Sequence, residues 1–106
     1  MDDLQFIGVA SPEWCTGNLH GKAIRKHDVI KFDFVSQNEF YMVTLNQTAS
    51  PHRFTGQWQL RSGGNNGRAT ADRYENEEAV LLKGEWTEDG REYLWIAEIS
   101  HDKWHS

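Results

Sequence analysis

This chain of 106 residues has little cysteine and no long apolar run, and each shortage excludes a class of protein. Its one cysteine, Cys15, has no second cysteine with which to form a disulfide within the chain. No apolar stretch approaches the roughly 20 residues that cross a bilayer. The first residues also lack the basic start and apolar core of a secretory signal. We therefore expect no membrane insertion and a cytoplasmic location.

Basic charge is also scarce. The chain carries 11 Lys and Arg against 16 Asp and Glu, which gives a formal net charge of -5. Proteins that bind nucleic acid need a basic face to neutralise the phosphate backbone. The composition therefore excludes nucleic acid as an expected partner.

Aromatic residues, in contrast, are abundant. There are 5 Trp, 5 Phe and 3 Tyr, so rings supply a large share of the apolar area that can be buried. A chain of this length encloses one core without metals or disulfides. We expect a single domain over residues 1–106, with an interior rich in rings.

Two glycine-x-tryptophan steps, Gly56-Gln57-Trp58 and Gly84-Glu85-Trp86, lie in stretches that alternate between apolar and polar residues. Residues two apart share a face of a strand, so each step sets a glycine beside a tryptophan. Such pairs favour curled sheets and small barrels. The steps resemble those of lipocalin and avidin-like barrels, although the lipocalin step lies on the first strand. The resemblance implies architecture alone, and we assign no binding residue from it.

The alternation along the chain predicts about seven or eight short strands and no long helix. We expect an all-β fold, either a small antiparallel up-and-down barrel of calycin or avidin-like architecture or a compact sandwich. Ser11-Pro12-Glu13-Trp14 predicts a short helical turn capped by the serine. The predicted strands are Leu4–Val9, Leu19–Ile24, Val29–Val35, Phe40–Asn46, Arg53–Arg61, Arg68–Tyr74, Ala79–Thr87 and Glu92–Ile99.

Four rings are candidates for a ligand site: Trp58, Trp86, Tyr93 and Trp95. A barrel of about eight strands is wide enough either for one small ligand or for a core of side chains. The rings therefore either stack a hydrophobic or planar ligand or simply fill the barrel. The first alternative predicts a small non-enzymatic binding domain.

A second candidate surface lies outside the predicted barrel. The strand Glu92–Ile99 is apolar on both sides, so its outer face needs a cover, either the amino-terminal turn or a second copy of the chain. Phe40, Met42, Leu94 and Ile96 form the predicted outer patch. This patch predicts an alternative function, an acidic protein-interaction domain of the inhibitor or immunity type with a packed interior, and allows a homo-oligomer.

Catalytic and metal chemistry have weak signals. His101 and His105 have a spacing that suits a metal, but no third ligand is marked, and we expect no metal and no cofactor. A small barrel enzyme would need polar side chains that converge in a pocket. The candidates for that class are Asp33, Asp72, Arg73 or a histidine.

Overall fold

The computed structural model describes residues 4–9, 17–19, 23–26, 28–36, 38–101 and 104–105. These residues form ten β-strands and their connections, with no α-helix among them. In this part of the chain, no helix is long and apolar enough to cross a bilayer. The all-β prediction is confirmed. The predicted turn at 11–14 lies outside the described residues.

Six of the strands are long and carry the fold; they have 8 to 10 residues each and are β4 to β9. We predicted seven or eight strands, so this number was too high for the main strands of the sheet, of which there are six among the described residues. The full set is β1 (Leu4–Val9), β2 (Gly17–Leu19), β3 (Ala23–Lys26), β4 (Val29–Ser36), β5 (Glu39–Gln47), β6 (Arg53–Leu60), β7 (Asn66–Glu75), β8 (Ala79–Glu88), β9 (Arg91–Ser100) and β10 (Trp104–His105).

All the strands belong to one sheet, so the structure matches the barrel prediction rather than the sandwich. Each of β4 to β8 pairs antiparallel with the strand that follows it, and the six strands β4 to β9 form a curled half-barrel. β9 also pairs with β1, β1 with β2, and β2 with β4. These contacts make one barrel-like domain.

The predicted strand Leu19–Ile24 is not a single strand. The structure has two short strands in its place, Gly17–Leu19 and Ala23–Lys26. Both pair antiparallel with β4, one near Phe34 and the other near Ile30. The sequence pattern predicted one strand here because both segments are extended and pair, one after the other, with the same strand β4.

The core consists of the inward positions of β4 to β9, where side chains at every second residue are buried. This confirms the inward face predicted for Phe54 and Trp58 on β6. The buried apolar residues, each 0–2% exposed, are Ile30, Phe32, Phe34, Val43, Leu45, Phe54, Trp58, Ala69, Ala71, Val80, Leu82, Trp86, Trp95, Ala97 and Ile99.

Two glycines allow tryptophans to reach across a strand. Trp95 on β9 lies opposite Gly84 on β8, and its indole N–H donates to the carbonyl of Thr70 on β7, 2.8 Å away. A Cβ on Gly84 would overlap that same carbonyl oxygen. The missing side chain therefore lets the strands approach closely and bend.

The second tryptophan repeats this geometry. Trp58 on β6 lies opposite Gly67 on β7 and donates its indole N–H to the carbonyl of Thr87 on β8, again at 2.8 Å. A Cβ on Gly67 would meet both that carbonyl and the Trp58 ring. In both cases a glycine accommodates the ring on the opposite strand.

Candidate binding surface

The three predicted ligand-binding indoles lie together in the interior. The rings of Trp58 and Trp86 stack with centroids 5.2 Å apart, and Trp95 meets Trp86 edge-on at 5.5 Å. Tyr93, the fourth predicted residue, is half-buried against this core and lies opposite Trp86. The structure therefore brings all four residues to one face, and the three indoles pack against one another.

Each of these indole N–H groups has an acceptor inside the protein. The acceptors for Trp58 and Trp95 are the backbone carbonyls of the neighbouring strands. Trp86 donates to Glu88 Oε1 at 3.0 Å. The other carboxylate oxygen of Glu88 accepts from the Tyr41 hydroxyl at 3.2 Å, which joins β8 to β5. The hydrogen-bonding capacity of the indoles is thus used within the fold.

The four residues of the predicted outer patch do not lie together. Phe40 and Met42 are on β5, whereas Leu94 and Ile96 are on β9, and the strands β6, β7 and β8 lie between them. The Phe40 ring carries the guanidinium of Arg61, 4.9 Å from its centroid. Leu94 is 64% exposed. An interaction role for these residues stays a prediction, now for two separate surfaces.

The apolar neighbours of Leu94 and Ile96 come from β7 and β8 instead. Leu81 lies diagonally across from Ile96 and directly opposite Tyr74, which is 54% exposed. Lys83 lies opposite Ile96 and interrupts this outer strip. Apart from this lysine, the outward apolar residues near Leu94 lie on β7, β8 and β9, and Phe40 on β5 is not among them.

A groove of about 660 Å³ crosses the outer face of five strands, β5 to β9. Its residues come from outward positions, together with two small inward ones, Gly56 and Ala69. The residues that line it are Thr44, Asn46, Thr55, Gly56, Gln57, Arg68, Ala69, Thr70, Glu85, Thr87 and Glu92. Every one of them except Gly56 and Ala69 carries a polar side chain.

The strand register arranges these polar side chains in two rows that run across the strands. Asn46, Thr55 and Thr70 are successive partners in one row. In the other row, Thr44, Gln57 and Arg68 follow in the same way on β5, β6 and β7. Thr87 and Glu92 form a further pair on β8 and β9.

Threonine hydroxyls replace backbone hydrogen bonds at the centre of the groove. The backbone N–H of Glu85 donates to Thr70 Oγ1 at 3.2 Å. Thr87 Oγ1 accepts from the backbone N–H of Arg68 at 2.8 Å and donates to its carbonyl at 3.2 Å. The backbone pairing of β7 with β8 is interrupted between Ala69 and Asp72. The regular pairing of the two strands is therefore interrupted at the groove, beside Gly84, although their backbones stay close there.

Three charged side chains line the groove: Arg68, Glu85 and Glu92. Arg53 lies near its rim, 3.2 Å from Asp72 and 4.0 Å from Glu85. These groups are 36–57% exposed, so the ion pairs add little to stability. Among the residues that the structure describes, Arg68 and Glu92 form no salt bridge.

The residues suggested for catalysis do not converge. Asp72 faces outward, where it pairs with Arg53, and Asp33 lies on β4 opposite Met42. Arg73 is 14% exposed and pairs with Glu75 at 2.6 Å, and its buried Nε has no acceptor in the described chain.

The same end of the sheet carries His101. Its Nε2 lies 2.7 Å from the carbonyl of Asn76 and 3.6 Å from Glu75 Oε2. Within the described residues, no group of three or more His, Cys, Asp or Glu is placed to hold a metal ion. The side chain of His105 lies outside the described residues, so the structure does not test whether the two histidines come together.

The groove was not predicted from the sequence. Threonine is common at outward positions of strands, so each of these residues taken alone is unremarkable. The available signal was that four strands each carry a threonine at an outward position, at positions 44, 55, 70 and 87.

A scan against protein-family models and searches of curated proteins and of solved structures find no match to this chain. The aromatic interior and the polar groove are therefore the features from which we infer a function.

Proposed function

We propose that this chain is a small non-enzymatic binding domain that holds a polar ligand in the outer groove. The observation that carries the proposal is the set of polar side chains that line the outer face from β5 to β9, with two aligned rows on β5, β6 and β7. The volume, about 660 Å³, falls within the range of about 300–1,000 Å³ that is usual for small-molecule sites. In this proposal the aromatic residues form a structural core.

The barrel closes, in this proposal, through the short strands β1 and β2. Their pairings connect β9 back to β4 and would enclose the rings on all sides. A small closed barrel has an interior just wide enough for side chains to fill. Closure therefore supports a structural interior and a ligand on the outer surface.

A hydrophobic ligand in the interior, as the ring content suggests, would have to enter a filled space. It would separate the Trp58 and Trp86 rings, which lie 5.2 Å apart. It would also break indole hydrogen bonds such as that of Trp58 to the Thr87 carbonyl. Each buried polar group left without a partner costs about 1 to 3 kcal/mol. The outer groove requires none of these changes.

The test is a titration of ¹⁵N-labelled protein with a panel of polar and apolar small molecules, followed by NMR. Polar compounds are expected to shift the backbone amides of the groove, such as that of Thr55, and to leave the indole N–H signals of Trp58, Trp86 and Trp95 in place. The indole signals report on the interior because all three rings are buried.

The chain offers a matched pair of variants for this titration. Gln57 lines the groove, while Gln59 is exposed two residues further along the same strand and does not line it. Gln57→Ala should weaken the groove shifts, and Gln59→Ala should leave them unchanged. Shifts of the indole signals instead would support an interior ligand, and a panel without any groove shifts would refute the proposal.

A further inference from the structure

The composition of the groove narrows the chemistry of its ligand, given the proposed function on which this step rests. We infer that the groove binds a neutral, hydroxyl-rich chain, that is, an oligosaccharide. Three observations carry the inference: the charge of the groove, the nature of its hydrogen-bonding groups and its length.

The charge excludes strongly anionic ligands. Among the described residues that line the groove are one cation, Arg68, and two carboxylates, Glu85 and Glu92, which gives a formal charge of 1 − 2 = −1. A phosphate-rich ligand would need an excess of cations. A strongly apolar ligand is also unfavourable, because Gly56 and Ala69 are the only lining residues without a polar side chain.

The hydrogen-bonding groups match those of a polyhydroxyl ligand. Asn46 and Gln57 each present a donor and an acceptor, Glu85 and Glu92 accept, and Arg68 donates. Sugar hydroxyls both donate and accept, so they can satisfy neighbouring groups of either kind.

The length favours a chain over a single ring. The groove crosses β5 to β9, which are separated by four inter-strand spacings. At about 4.8 Å each, these spacings span about 19 Å. Several linked sugar units can contact polar side chains from all five strands along this length, whereas a monosaccharide can reach only part of it.

The inference is tested by NMR and calorimetric titration of the whole protein with neutral tetrasaccharides of glucose and of N-acetylglucosamine. The matching monosaccharides and a tetralysine peptide serve as comparisons. At least one tetrasaccharide is expected to saturate the groove amides and to bind about tenfold more tightly than its monosaccharide. Gln57→Ala should weaken this binding about threefold to tenfold, as expected for a lost uncharged hydrogen bond, and Gln59→Ala should not.

A charge variant distinguishes sugar from cation. In Glu85→Gln with Glu92→Gln, the polar atoms remain but both negative charges are lost. Because each carboxylate accepts a hydrogen bond from the sugar in this inference, tetrasaccharide affinity should fall by about tenfold at most, and it should be insensitive to salt, since a neutral ligand is not screened. A ligand whose binding collapses in this variant is held by charge, which would contradict the inference.

The outcomes separate this inference from the function on which it rests. If tetralysine or another polar compound binds the groove and the sugars do not, the oligosaccharide assignment is wrong and the groove remains a binding site. If no compound shifts the groove amides, both the assignment and the proposed function are overturned.

Discussion

Along β6, β7 and β8, successive residues face the interior and the outer surface in turn, and the two faces differ in composition. The inner face is apolar, and the outer face is polar at the groove. Trp58 and Trp86 face inward and are fully buried, whereas Gln57 and Glu85, each next to one of them, face the groove. The two faces are nevertheless coupled: at a few positions, one residue contributes its backbone to the packing of the core and its side chain to the outer face.

The coupling is clearest at Gly84 and Thr70. The Thr70 carbonyl turns inward to accept the indole N–H of Trp95, while the Thr70 hydroxyl accepts the backbone N–H of Glu85 near the groove. One residue thus serves the core with its backbone and the outer face with its side chain. The close approach of β7 and β8 that packs the core therefore also places Thr70 and Glu85 on the outer face.

The largest effect is expected from a substitution at Gly84, where the core packs against the backbone of β7. In Gly84→Ala, the new Cβ overlaps the Thr70 carbonyl, so the backbone of β7 or β8 must shift. We expect a loss of about 3 kcal/mol in the free energy of unfolding, measured by urea denaturation, together with shifts of the groove amides.

The control for this substitution is Gly63→Ala. Gly63 has a φ of 79° but open space around its Cβ position, so alanine there meets strain without a clash. A loss of about 1 kcal/mol is expected. Equal losses for the two variants would show that the close approach at Gly84 is not what limits the substitution.

The second largest effect is expected from the loss of the indole hydrogen bonds of Trp95 in the core. Trp95→Phe keeps a ring in the core but removes the donor to two carbonyls, those of Thr70 and Glu85. The loss should be about 2 kcal/mol, because both carbonyls face the interior. Trp86→Phe is the comparison, since its acceptor is the half-buried carboxylate of Glu88, which can turn to water.

We expect Trp95→Phe to cost about 1 kcal/mol more than Trp86→Phe in urea unfolding. A larger loss for Trp86→Phe would mean that ring packing, and not the indole hydrogen bond, determines the stability of this cluster.

The sequence predicted the inner face better than the outer one. Alternation and the two glycine-x-tryptophan steps indicated the curled sheet and the inward positions of Phe54 and Trp58, because burial on one face leaves a period of two in the chain. It did not identify the ring that lies opposite Gly84, which belongs to Trp95 on the next strand. Such a partner depends on register across strands, which alternation within one strand does not encode.

The outer surface depends on strand order as well. Phe40 and Leu94 are both outward apolar residues, but they are separated by three strands. The groove depends on register in the same way, because Thr55 meets Thr70 only when β6 and β7 are aligned as they are. Polar residues at outward positions are also ordinary in strands, so no single residue marks the site.

The smallest effect is expected from the loss of the hydrogen bond that the Thr70 hydroxyl makes on the outer face. Thr70→Val keeps the shape of the side chain but removes the hydroxyl that accepts the backbone N–H of Glu85. We expect a loss of about 1 kcal/mol and faster hydrogen exchange of the Glu85 amide. Thr55→Val is the control, because Thr55 lies directly opposite on β6, in the same groove, and valine favours strands equally. Its unfolding free energy should stay within about 0.5 kcal/mol. If both variants behave alike and the Glu85 amide stays protected, the Thr70 hydroxyl does not stabilise this part of the sheet, and the interrupted pairing of β7 with β8 follows from the close approach at Gly84 alone.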